Sequence, residues 1–185
     1  YYRIPVYMDD PKYEEISSRI RKSFPNSCIL FIDKVINEYL LTKYEDQLQQ
    51  IQELRGADQV HEELLFHGTS AENIDSIGYF GFDVNKNTMS AYGRGTYFAK
   101  DASYSNNYMK STDSRGISYM ICANVIVGKC IYGQKNMIGK NNYRIDTNLY
   151  DNSVDKMENP SIYVTPYNYG AFPTYIIAFH KNAKQ

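Results

Sequence analysis

His67-Gly68-Thr69 is the first segment of this chain whose residue types could do chemistry. The histidine closes a short apolar run, Leu64-Leu65-Phe66, and a residue without Cβ follows it. A glycine there lets backbone N–H and C=O approach a ligand side by side, which is the pairing a carboxamide needs. The plain alternative is a core histidine before a tight turn. A second segment runs Tyr92-Gly93-Arg94-Gly95-Thr96-Tyr97-Phe98-Ala99 and continues Lys100-Asp101-Ala102-Ser103-Tyr104-Ser105-Asn106-Asn107-Tyr108. Gly93 and Gly95 hint at a phosphate loop, but the third glycine opening a helix inside a βαβ unit is missing. What sets this segment apart from ordinary core aromatics is density: Tyr97, Tyr104 and Tyr108 share one strand-loop-helix element with Ser103 and Ser105. On a helix, Tyr104 and Tyr108, four apart, share a face. Cys28, Cys122 and Cys130 form no CxxC pair, and His61, His67 and His180 lack ligand spacing, so neither a disulfide framework nor a metal site is expected. The three thiols read as buried or half-buried.

These residues must be held by a chain of 185 residues, a length that suits one ordinary domain. Its 43% hydrophobic and 15% aromatic content, with 20 basic against 21 acidic residues, excludes a disordered chain. The net charge of −1 gives no support for nucleic-acid binding by counterion release. No stretch approaches the roughly 20 apolar residues that cross a bilayer, so no membrane association is expected. No leader is visible, and with the free thiols this points to an intracellular protein, cytoplasmic or nuclear. Nineteen tyrosines and no tryptophan suit a core that carries polar grooves with flat walls.

The first ten residues read as an edge strand. Pro11 opens a helix with Tyr13, Ile16 and Ile20 on one face, closed near Lys22 and Pro25. A strand at Ile29–Ile32 and a long helix follow. Val35, Ile36, Tyr39, Leu40, Tyr44, Leu48 and Ile51 form its apolar face, and Arg55-Gly56 ends it. Strand Leu64–Phe66 stops at His67, and Ser70 can cap a helix carrying Ile74 and Ile77 that ends at Gly78 or Gly81. Residues 83–95 read as an irregular loop, Tyr97–Ala99 as a strand, and Asp101 as the cap of a helix reaching Met109. Residues 116–127 alternate as a long strand. Residues 133–159 read as loop with a short strand near Asp146, and strands at Ser161–Thr165 and Thr174–His180 close the chain. Helices first and strands later, without long crossovers, predict an α+β fold with a largely antiparallel core.

Three blocks, LLFHGTS, AYGRGTYFAKDASYSNNY and LYDNSVDKMENPSIYVTPYNYGAFPTYIIAF, come in order and resemble the catalytic domain of the diphtheria-toxin-like ADP-ribosyltransferases, the poly(ADP-ribose) polymerase family. The resemblance implies a two-sheet core of the ADP-ribosyltransferase type. Residues 1–185 would then form a single catalytic domain, with 1–59 as a helical lead-in and 60–182 as the NAD-binding core. His67 matches the His of the family's His-Tyr-Glu triad, which bonds the adenosine ribose of NAD. Gly68 matches the glycine whose backbone binds the nicotinamide amide, and Ser105 the serine that binds the same amide. Thr69 falls where a hydroxyl reaches the adenosine ribose. Tyr97 matches the triad tyrosine, with Phe98 and Ala99 beside it, and Tyr108 the tyrosine stacked on the nicotinamide ring. The loop 83–95 matches the one covering the cofactor.

The third triad position departs from the polymerising members: Ile162 stands where they carry Glu, and Glu158, before Pro160, is no substitute. Within the resemblance a His-Tyr-Ile triad of His67, Tyr97 and Ile162 implies transfer of a single ADP-ribose from NAD, used as co-substrate without metal. The acceptor is expected to be a protein side chain, Glu or Asp, in another protein or in the enzyme itself. A nucleic-acid acceptor finds no support in the charge. The alternative is a binding module of the same fold that has lost turnover; against it, His67, Gly68, Tyr97, Ser105 and Tyr108 are all present.

Overall fold

The computed structural model describes residues 1–86, 91–105, 109, 113, 115–135, 137 and 150–181. Strand β1 (Tyr2–Pro5) leads into helix α1 (Pro11–Ser23), strand β2 (Cys28–Ile36) and helix α2 (Glu38–Arg55). Strand β3 (His61–Gly68), helix α3 (Ile74–Phe80), strand β4 (Thr96–Ala99) and the short helix α4 (Ala102–Ser105) follow. The remaining strands are β5 (Ser118–Val127), β6 (Cys130–Tyr132), β7 (Asn152–Val154), β8 (Ile162–Thr165) and β9 (Ala171–His180). Among the described residues they make one sheet in the order β1-β2-β9-β5-β3-β4-β8-β7-β6. Every pairing is antiparallel except β6 with β7. The α+β, largely antiparallel expectation is met. Its two halves are continuous here, joined by the single pair Phe66↔Ala99 between β3 and β4.

Side-chain alternation sends the sheet's residues into two cores. Phe66, Met120, Cys122, Ile177 and Phe179 pack with Tyr13, Ile16 and Ile20 of α1. Leu65, Ile121, Ala123, Val125 and Ile176 pack with Leu40, Tyr44 and Ile51 of α2. Pro11 begins α1 behind Asp10, whose carboxylate accepts the Lys12 N–H at 2.8 Å. The first 59 residues thus supply two strands as well as two helices.

Several elements differ from the sequence expectation. Val35 and Ile36 end β2 instead of starting the helix, because Asn37 caps α2 by accepting the Leu40 N–H at 3.2 Å. Ser70 makes no side-chain cap; the chain enters α3 through a 3₁₀ turn, Ala71–Asn73. Strand β9 starts at Ala171, ahead of Pro173, because a bulge at Thr174, opposite the Cys122–Ala123 step of β5, accommodates a residue that cannot donate to the ladder. There Asn124 N–H donates to Thr174 Oγ1 at 3.2 Å. Helix α4 is described over Ala102–Ser105; the expected continuation through 106–108 and the expected strand near Asp146 lie outside the described residues. Cys28 is exposed, contrary to expectation, while Cys122 is buried and Cys130 half-buried.

Candidate active site

Where β3 and β4 part after their single pair, a cavity of about 470 Å³ opens, a size typical of small-molecule sites. Its walls include His67, Gly68, Thr69, Tyr97, Phe98, Ala99 and Ser105. Strand β3 delivers the first two at its end, with Thr69 next in the chain. Strand β4 delivers Tyr97, Phe98 and Ala99, and α4 delivers Ser105.

The His67 ring packs edge-on against Phe82, centroids 5.1 Å apart, and tilted against Phe98 at 5.5 Å. Nδ1 lies 2.9 Å from the Tyr97 carbonyl. A carbonyl only accepts, so Nδ1 carries the proton and Nε2 of the neutral ring is left as an acceptor. Burial pulls the imidazole below its ordinary value, and the bond to the Tyr97 carbonyl opposes this. His67 is therefore neutral near pH 7.

Gly68 is required by close approach. A Cβ there would fall 2.1 Å from the Ser105 carbonyl oxygen and 2.9 Å from the Ser105 Cβ. The β3 end and α4 thus meet backbone to backbone, with the buried Ser105 beside the Gly68 peptide. Thr69 Oγ1, also buried, accepts from Asn73 Nδ2 at 3.3 Å. Tyr97 turns its hydroxyl away from the cavity: it donates to the Gly93 carbonyl at 2.7 Å and accepts the Tyr92 N–H at 3.0 Å. Gly95, at φ 151°, has its Cβ position 2.4 Å from the Thr165 carbonyl, so no larger residue can lead the loop into β4.

Ile162 pairs with Ala99 across β4 and β8, and it packs with Tyr97 and Val164. It is buried, shares a sheet face with Tyr97 and Ala99, and is not among the residues lining the cavity. One carboxylate oxygen of Asp155 accepts both the Ser161 and Ile162 N–H groups, at 2.9 and 3.0 Å, which pins the start of β8. Glu158 is exposed. Tyr108 lies outside the described residues, as does 87–90 of the loop.

The family model for the poly(ADP-ribose) polymerase catalytic domain matches residues 12–161, most of the chain. The chain belongs to this family. The matched span contains His67 and Tyr97 and ends one residue before Ile162. The chain is 31% identical to human protein mono-ADP-ribosyltransferase PARP14 over 96% of its own length and 10% of that protein. It is 30% identical to human protein mono-ADP-ribosyltransferase PARP11, over 97% of this chain and 60% of that one. With mouse protein mono-ADP-ribosyltransferase PARP12 the identity is 29%, over 98% and 26%. The chain thus spans 10% to 60% of the length of these relatives.

Phe82, Asn73, Ser76, Phe80 and Lys86 also line the cavity and were not singled out by sequence reasoning. Phe82 follows the helix-ending Gly81, a position where an aromatic gives no sign of lying under His67. Asn73 carried a weak signal, four residues beyond Thr69 in the same turn.

Proposed function

We propose that this chain moves one ADP-ribose unit from NAD to a protein side chain and releases nicotinamide, residues 1–185 acting as one catalytic domain. The observation that carries the reading is the cavity walled by His67, Gly68, Thr69, Tyr97 and Ser105, residue types suited to a dinucleotide ending in a carboxamide. The Gly68 backbone and the Ser105 hydroxyl take the amide, as the resemblance implies. The Tyr97 ring flanks the pyridinium, where stacking and cation–π attraction both favour a flat cation, and the resemblance assigns Tyr108 to stacking on the same ring. Neutral His67 offers Nε2 to a hydroxyl of the adenosine ribose, and Thr69 lies next to it in the chain.

The reaction breaks the bond between C1′ and the ring nitrogen. The electron pair goes to the ring, so nicotinamide leaves neutral while C1′ passes through an oxocarbenium-like state. An acceptor carboxylate, already ionised at pH 7, adds to C1′ and forms the new C–O ester bond without surrendering a proton. Ile162 supports transfer to such an acceptor: an aliphatic side chain beside Tyr97 has no proton-accepting group with which to activate the hydroxyl of a bound ADP-ribose for elongation. The names of the relatives, mono-ADP-ribosyltransferases, support the same reading.

The test uses NAD labelled in its adenylate half. The wild-type chain is expected to become labelled and to release at least as much nicotinamide, since water competes as acceptor in an open site. His67→Ala is expected to be silent. NAD binding in calorimetry, without label transfer or nicotinamide release by the wild type, would favour the inactive binding module.

A further inference from the structure

We infer that Ser153 and the hydroxyl of Tyr97 act as a two-point clamp that positions the returning leg of the loop beside the cavity, Ser153 being a positioning residue for cofactor binding. The inference rests on the ADP-ribosyl-transfer reading. The loop leaves the cavity wall after Asp83 and Lys86 and returns through Tyr92 and Gly93. Three backbone groups of that return are held by side-chain hydroxyls. Tyr97 accepts the Tyr92 N–H at 3.0 Å and donates to the Gly93 carbonyl at 2.7 Å, and Ser153 donates to the Tyr92 carbonyl at 2.6 Å. The two hydroxyls come from different strands, β4 and β7, that flank β8, and both residues pair with Val164. Sheet register therefore sets the spacing of the clamp. Val164 and Ser153 are buried, so the clamp forms away from competing water. The Tyr92 ring then packs against Tyr97 and Ile162, linking the loop to the wall that faces the pyridinium.

The test compares NAD kinetics with binding of 3-aminobenzamide, which occupies only the carboxamide end. Ser153→Ala is expected to raise the KM for NAD about tenfold, the effect of losing one buried hydrogen bond, with kcat within about twofold. Tyr97→Phe, which keeps the ring, is expected to raise KM by a similar factor. Because both hydroxyls hold adjoining peptides of one short segment, Tyr92–Gly93, the double variant should raise KM far less than the product of the two single effects. Affinity for 3-aminobenzamide should stay within about twofold in Ser153→Ala, and hydrogen exchange at 91–95 should quicken in each variant. Unchanged KM in both variants, multiplicative effects, or parallel loss of 3-aminobenzamide binding overturns the clamp. Should Ser153→Ala fail to fold, Ser153→Cys, which weakens the bond to the Tyr92 carbonyl, decides by the same readouts. A wild-type chain that turns over no NAD overturns the function reading instead, and hydrogen exchange at 91–95 then decides the clamp alone.

Discussion

At the scale of single residues, the site depends on His67 staying neutral and Gly68 staying bare. Burial lowers the His67 pKa in the fold, whereas the unfolded chain keeps the ordinary value near 6.5. Between the two values the unfolded state binds the proton that the fold rejects, so stability rises with pH across that window. The thermal midpoint should therefore drop as pH falls from 7 to 5, and the drop should be smaller in His67→Gln; identical slopes would contradict the assignment. Gly68→Ala drives a methyl into the Ser105 carbonyl 2.1 Å away, and α4 must move. A misplacement of that order should lower kcat/KM for NAD about a hundredfold while the far-ultraviolet dichroism is unchanged. Cys28 is exposed, whereas burial pushes the Cys122 thiol up to about 12. Iodoacetamide should label Cys28 in the native protein and reach Cys122 only on unfolding, as peptide mapping would show. The seven cavity residues expected from the sequence were legible because they fall in three short runs. Ser153 and Asp155 were not, since each acts on backbone brought close only by the folded sheet.

Among the elements, the long helices were legible where a local signal marked an end: Pro11 at the start of α1, and Gly56 after Arg55 at the close of α2. The start of β9 was not, because Pro173 argues against a central strand until the bulge at Thr174 beside it is known. The hold of α2 on β7 was equally hidden. Arg55, at the end of α2, meets Asp151 with Nε and Nη2 at 3.0 and 3.1 Å from its two carboxylate oxygens, and Asp151 also accepts the Lys129 N–H and the Tyr167 hydroxyl. Asp151 is buried and Arg55 nearly so. Removing one partner strands the other charge, so Asp151→Asn should cost about 3 kcal/mol and lower the midpoint by roughly 6–12 °C in calorimetry. A shift under about 2 °C would show that the pair contributes little.

Across the whole molecule, the cavity sits at the weakest seam of the sheet. Among the described residues one ladder pair, Phe66↔Ala99, joins the two halves of the sheet, and β3 lines the cavity from one half and β4 from the other. A ligand there bridges the halves, so 3-aminobenzamide should slow hydrogen exchange at 66–69 and 96–99 more than in the interior of β5. The proposed product carries a single ADP-ribose on each acceptor residue, in keeping with Ile162, not an acid, beside Tyr97. Peptide-level mass spectrometry of protein incubated with excess NAD tests it most directly. Every modified residue should carry one ADP-ribose, on aspartate or glutamate; residues bearing chains of two or more linked units would contradict the account.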